Sequence, residues 1–218
     1  MDIGYSASAR RLGLVSAVAV ALLGLVYLAL LGAGFASLAA ADQPIGDPWF
    51  SRLELAIVVM MPALVTLMVA VHAWTAPEAR ALSLAALVFM SLVALLTTAV
   101  HFPILVLSRD PALAAQPWTP LLLSFRWPSL PYAIDILAWD LFFALSMLFA
   151  APVFAGRGLE AAIRRLMVVS GLLALAGLAG AASGDMRLRN IGIVGYAVVF
   201  PAAAALLALL FHRKRPSA

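Results

Sequence analysis

An all-α, polytopic membrane bundle of six transmembrane helices, with both ends of the chain in the cytoplasm, is the fold this sequence predicts. Three observations carry the prediction. Of 218 residues, 65% are hydrophobic and 11% charged, with a mean hydropathy of +1.08, which leaves too little polar surface to dress a soluble globule. The apolar residues fall into six runs of about 20 residues, the length that crosses a hydrocarbon core of roughly 30 Å. None of these runs alternates with the two-residue period of a barrel strand, and hydrocarbon accepts only structures that satisfy their own backbone groups, so helices remain.

Hydropathy places the spans at about residues 12–39, 53–74, 82–102, 132–154, 166–182 and 191–211, in one integral membrane domain covering residues 1–218. Span one follows Arg10 and Arg11 and ends at Ala39-Ala40-Ala41 before Asp42. That ending resembles a signal-peptide cleavage site, but the apolar run is nearly twice the usual ~7–15 residues of a signal core, so an uncleaved first helix is expected. Gly32 and Ala36 in span one, and Ala176 with Gly180 and Gly177 with Ala181 in span five, repeat at four-residue spacing. Small residues let helix backbones approach in lipid, so these positions predict packing inside the bundle, with a homo-oligomer face as the alternative. Pro62 in span two and Pro103 at the end of span three each release a backbone carbonyl. The one long connection, Ser108 to Pro131, contains five prolines and the aromatics Trp118, Phe125 and Trp127. It reads as an aromatic anchor at the membrane interface, with a lid over a site as the alternative.

Charge sets the orientation. With the N-terminus inside, the cytoplasmic side collects nine cations (Arg10, Arg11, Arg80, Arg157, Arg164, Arg165, Arg213, Lys214 and Arg215) against five outside, Arg52, Arg109, Arg126, Arg187 and Arg189. The excess of Lys and Arg predicts cytoplasmic ends and a multi-pass protein of the bacterial inner (plasma) membrane.

Several chemistries are excluded by residue type. There is no cysteine, so disulfides, thiolate catalysis and cysteine metal sites cannot occur. The only lysine is Lys214 in the tail, which argues against a retinal Schiff base, and no glycine-rich phosphate loop or nucleophile elbow is present. His72 and His101 end their spans on opposite sides of the membrane, so they cannot share a haem or metal ion; no cofactor, no metal and no direct nucleic-acid contact are expected.

Two candidate regions remain. Asp140 lies in the segment AIDILAWDLFFALSMLFAAPVF, about 12 Å into its span at 1.5 Å per residue. An ionisable group at that depth costs several kcal/mol unless paired, neutralised or wet, so it marks either a structural clasp or a cavity. Asp135 is five residues earlier, and at 100° per residue the two carboxylates stand about 140° apart, with Asp135 on the face of Trp139 and Asp140 on that of Ile136 and Ala144. Asp140 therefore reads as a deep single carboxylate that is denied Asp135 as a close partner and whose partner the sequence does not name. Glu54, His101 and Asp135 sit near the outer ends of spans two, three and four, either reaching headgroups and loop arginines or building an outward-facing polar pocket. On the inner side, Arg157, Arg164 and Arg165, with Arg213, Lys214 and Arg215, form a basic surface suited to anionic lipid or an acidic protein.

The last third of the chain, from LFAAPVFAGRGLEAAIRRLM through NIGIVGYAVVFPAAAALLALLFHRKR, resembles a broad group of bacterial six-helix inner-membrane proteins. In size, helix count and lack of a catalytic motif, the whole also resembles the integral-membrane anti-sigma factors of myxobacteria. That second resemblance implies a regulatory protein, not an enzyme, holding a soluble partner such as a sigma factor at the basic cytoplasmic face. The alternative is an intramembrane enzyme acting on a lipid or isoprenoid, with Asp140 as acid or base assisted by Asp135, His101 or Glu54; a small-solute or proton transporter comes third.

Overall fold

The computed structural model describes residues 6–40 and 43–213. Six helices are long and apolar enough to cross a membrane: α1 (Ala7–Ala36), α2 (Trp49–Trp74), α3 (Pro77–Leu107), α6 (Leu130–Val153), α7 (Leu159–Ser183) and α8 (Met186–Arg213). The short helices α4 (Pro111–Ala114) and α5 (Thr119–Leu122) lie in the long connection between α3 and α6. The chain is thus a multi-pass membrane protein by the length and composition of its helices.

Three of the long helices begin on a capping side chain. Ser6 caps α1 by accepting a hydrogen bond from the Ala9 amide, Ser129 caps α6 at the Tyr132 amide, and Asp185 caps α8 at the Arg187 amide. Gly184 closes α7 with φ +76°, the left-handed conformation that ends helices and that glycine adopts without a Cβ penalty. Because Asp185 starts α8 immediately, Met186–Asn190 is helical although its polar residues keep it out of a hydropathy span. The sequence-predicted start near residue 191 therefore comes about one and a half turns late. The same holds at the end of α3, which runs through Pro103 to Leu107, so His101 lies inside its helix.

The six long helices form a ring. Consecutive helices pack side by side, α3 meets α6 across the long connection, and α8 returns to α1. Arg10 at the start of α1 donates from Nε to the Phe211 carbonyl and from Nη2 to the His212 carbonyl, both at 2.9 Å. One end of the ring, the base, therefore holds the start of α1 and the end of α8; the other, the crown, holds the α4–α5 connection. Lipid tails are as apolar as leucine, so the ring is held by close packing and a few polar links instead of by exclusion from water.

Glycines supply that closeness. A Cβ added at Gly13 would meet the Phe211 ring at 2.8 Å, one at Gly24 would meet Pro201 Cγ at 2.6 Å, and one at Gly195 would meet the Ser170 carbonyl at 2.6 Å. Span five uses Ala174, Gly177 and Gly180, spaced by three, as its buried face, whereas Ala176 is exposed. The expected four-residue pairs are split, because the stripe facing α8 follows the i, i+3 ridge. Gly32 has no atom within 4 Å of its would-be Cβ, and Ala36 is exposed.

Toward the base the interior is filled by Met61, Leu64, Leu67, Met68, Met90 and Met147, each at most 2% exposed. Hydroxyls in this half find carbonyls or partners: Ser146 donates to Ala86 O at 2.8 Å, Ser170 to Gly195 O at 2.9 Å, and Ser83 lies 2.8 Å from His72 Nδ1. The basic surface is only partly as expected. Arg157, Arg165 and Arg213 are exposed, but Arg164 turns inward and donates to the Phe154 carbonyl at 2.5 Å. Lys214 and Arg215 lie outside the described residues, as do Ala41 and Asp42 of the candidate cleavage site.

Candidate functional site

Five charged or titratable side chains meet inside the crown half of the ring. Glu54 is about 8 Å into α2, His101 about 9 Å from the end of α3, and Asp135 about 8 Å into α6, at 1.5 Å per residue. Helix length alone thus moves these three from the membrane surface into the bundle. His101 Nδ1 lies 2.8 Å from Glu54 Oε2 and its Nε2 3.3 Å from Asp135 Oδ1. Arg189, on the second turn of α8, donates from Nη2 to Asp135 Oδ2 at 2.5 Å and from Nε to Asp140 Oδ2 at 3.4 Å. The chain Glu54, His101, Asp135, Arg189, Asp140 is continuous, and its side chains are 0–8% exposed.

Arg189 joins Asp135 to Asp140 and is the partner of Asp140 that the sequence does not name. Residues Leu137–Phe143 are π-helical, so hydrogen bonds there run from i to i+5 and residues five apart approach the same face. The 140° separation assumed a regular α-helix. With the wider turn, one guanidinium serves both carboxylates. By hydropathy alone Arg189 falls in an outer loop, because its neighbours Arg187 and Asn190 are polar. The signals that point to it are Asp185 as a helix start and the need of a deep carboxylate for a buried cation.

Aromatic rings and glycines surround the chain of charges. Phe125 from the long connection stacks on His101, ring centroids 4.5 Å apart, and Tyr132 lies under the Arg189 guanidinium at 4.5 Å, an arrangement that favours a desolvated cation. Asp140 Oδ1 has no hydrogen-bond partner among the described residues. A Cβ on Gly192 would lie 2.6 Å from this oxygen and one on Gly177 3.0 Å, so only glycines leave room for it at the crossing of α7 and α8.

A cavity of about 810 Å³ opens beside this chain of charges. Glu54, His101, Asp135 and Arg189 face it from one side; Leu31, Ile57, Met60, Leu64 and Phe200 wall the rest. Its volume is that of a pocket for a sizeable organic molecule. Helices α1 and α8 both border the cavity. These helices touch at Gly24 and Pro201, and on the crown side of that contact Phe35 of α1 and Val194 of α8 both line the cavity and are 59% and 46% exposed. Residues 123–126 of the long connection complete the crown wall, while Trp118 and Trp127 remain about 40% exposed. That connection therefore contributes to the cavity as well as presenting aromatics outward.

The other outer arginines stay outside the chain of charges. Arg52 sits over Trp49 at 4.9 Å, and Arg109 pairs with Asp47 at 3.1 Å with both side chains half exposed, a surface pair worth at most about 1 kcal/mol. Asp47, which lies before α2, has its carboxyl held below the usual range by a hydrogen bond from Ser51. Arg126 is exposed at the cavity mouth. Among the described residues no group of three or more His, Asp or Glu side chains is placed to hold a metal ion: the two nitrogens of His101 point to different carboxylates, so the donors do not converge.

Chemically, the arrangement stores a proton. A neutral imidazole has one N–H, yet both ring nitrogens of His101 are within hydrogen-bond distance of a carboxylate. The triple is therefore complete only with an imidazolium or a protonated carboxyl. No protein-family model matches this chain, and neither a curated protein nor a solved structure matches it.

Proposed function

We propose that the protein takes an amphipathic, membrane-dissolved molecule into the crown cavity and performs acid–base chemistry on its polar head, with His101 between Glu54 and Asp135 as the proton-holding group. The observation that carries this reading is the juxtaposition of a buried proton-holding triple with an apolar-walled cavity of about 810 Å³. A water-soluble substrate gains little from such walls, whereas a hydrocarbon tail finds them equivalent to the bilayer it leaves. The cleft between α1 and α8 on the crown side of Gly24 gives a lateral route that keeps the tail out of water. Arg189 holds Asp135 in place, and Asp140 holds Arg189.

The test is purification of the full chain in a mild detergent followed by native mass spectrometry. Wild-type protein is expected to retain a lipid-like molecule, and Val194→Trp, which places an indole at the cleft without touching the packed base, is expected to lose most of it. Equal occupancy in the two proteins, or none in either, would overturn the reading. Once the retained molecule is identified, His101→Gln is expected to abolish its conversion while retention persists.

A second reading is favoured by the exposure of Arg157, Arg165 and Arg213 at the base. In it, this surface docks an acidic soluble partner such as a sigma factor, and positive-inside topology puts the base in the cytoplasm. Charge reversal at Arg157 and Arg165, with orientation rechecked, is expected to release a co-purifying partner. Unchanged capture would remove that reading.

A further inference from the structure

We infer that the head group taken by this cavity is uncharged and rich in hydrogen-bonding oxygen, as in a lipid with a hydroxyl or carbonyl head, and that phosphate-headed lipids are excluded. The inference rests on the cavity being a lipid site, and two observations lead from there to the head.

The first is the balance of charge. Facing the cavity or one residue removed from it are the carboxyl groups of Glu54, Asp135 and Asp140, and the cationic or proton-accepting groups Arg189, His101 and, at the mouth, Arg126. Arg189 is committed to Asp135 and Asp140, and His101 to Glu54 and Asp135. Arg126 stays exposed at the mouth, so beyond it no cation is left over to neutralise a phosphate or carboxylate taken in as far as Arg189, where an unpaired anion is costly. A trimethylammonium head, although aromatic faces attract it, neither donates nor accepts a hydrogen bond and leaves the hydroxyls that line the cavity unmet.

The second observation is a set of polar atoms with nothing to bind. Three of the four tyrosines in the chain, Tyr27, Tyr132 and Tyr196, line this one cavity, from α1, α6 and α8. None of their hydroxyls has a hydrogen-bond partner among the described residues, and Glu54 Oε1 likewise has none. Polar groups inside a membrane are ordinarily satisfied by protein, because an unmet hydrogen bond there costs more than in water. Thr97 Oγ1, Trp139 Nε1 and Asp140 Oδ1 are also buried without a partner among the described residues, but the three phenols belong to residues that line the open space of the cavity. Phenols give and accept one hydrogen bond each. Set on three helices around one cavity that Glu54 also lines, they match a head bearing two or more hydroxyl or carbonyl oxygens.

The experiment uses the full chain in phosphatidylcholine nanodiscs with three photoactivatable probes that share one sixteen-carbon diazirine tail (roughly the apolar length of one bilayer leaflet): a monoacylglycerol, an alkyl phosphate and an alkyl trimethylammonium. Crosslinks to α1 and α8 peptides lining the cavity are counted by mass spectrometry. The monoacylglycerol is expected to label these peptides at least about tenfold more than either charged probe. Its labelling is expected to fall at least about fivefold in a Tyr27→Phe, Tyr132→Phe, Tyr196→Phe protein, a loss of about 1 kcal/mol of binding, with thermal unfolding unchanged. Should the triple variant unfold, Tyr196→Phe alone is read the same way, with about a twofold loss. Labelling by the alkyl phosphate or the trimethylammonium probe equal to that of the monoacylglycerol would overturn the uncharged head while leaving the lipid cavity standing. Undiminished labelling of the phenylalanine variant would do the same. If no probe labels the cavity above the Val194→Trp background, the lipid reading itself falls.

Discussion

The two halves of the ring are built from the same helices and follow opposite rules. In the base half, methionines, leucines and phenylalanines fill the interior and hydroxyls are satisfied by carbonyls of neighbouring helices. In the crown half, five of those helices border a cavity, five charged or titratable groups are buried in a row, and three phenols stand without partners among the described residues. The difference teaches that the base gives the bundle its stability, so that the crown can hold an arrangement that is costly in itself. A row of buried charges is poor evidence for stability. Its persistence beside a cavity is what marks the crown as the working end.

The sharpest way to break this comparison is to remove the cation at the centre of the row. Arg189→Met leaves Asp135 and Asp140 buried without a counter-charge and is expected to cost about 3–5 kcal/mol; thermal unfolding in detergent checks it. If the charges serve function, the double variant Arg189→Met, Asp140→Asn regains a large part of that loss yet stays inactive toward the bound molecule.

Next in size is a contrast between the halves. Leu67→Ala in the packed base is expected to cost about 2–5 kcal/mol, as buried leucine truncations do. Leu31→Ala on the cavity wall already faces open space, so its expected cost is below about 1 kcal/mol, with an altered preference for tail length as its main effect. Equal losses at the two positions would contradict the division into packed and open halves.

Glycines sharpen it further. Gly192→Ala sets a methyl group 2.6 Å from Asp140 Oδ1, and the strain of overpacking is expected to cost about 1–3 kcal/mol. Gly32→Ala, with nothing within 4 Å, is expected to be neutral or slightly stabilising, since alanine is the better helix former. The smallest effect is expected at the outer surface of the base. Arg165→Glu is exposed and is expected to change stability by less than about 0.5 kcal/mol, so any functional loss there would speak for a docked partner.

Much of the fold was legible residue by residue. Runs of apolar residues gave six helices because span length follows from bilayer thickness. Pro and Gly marked the connections, and Glu54, His101, Asp135 and Asp140 stood out because charge inside hydrocarbon is rare. Arg189 was not legible by hydropathy, since a window average places MRLRN in a loop although Asp185 can start a helix just before it. Nor was the partnership of Asp135 with Asp140, because 100° per residue is a property of the α-helix and residues 137–143 are π-helical. The stripe Ala174, Gly177 and Gly180 was misread as four-residue pairs, since sequence shows which small residues are available but not which ridge meets the neighbour.

By itself, then, the sequence determined that this chain lies in a membrane, that it crosses six times, and which carboxylates are too deep to be incidental. Each of those follows from local composition measured against the thickness and polarity of the bilayer. Only the tertiary structure decided that α8 returns beside α1, that Arg189 meets Asp135 and Asp140, and that three tyrosines from three helices share one cavity. Those are matters of helix phase and ring closure, which depend on where backbones can approach and on one widened helical turn, and no window along the chain contains them.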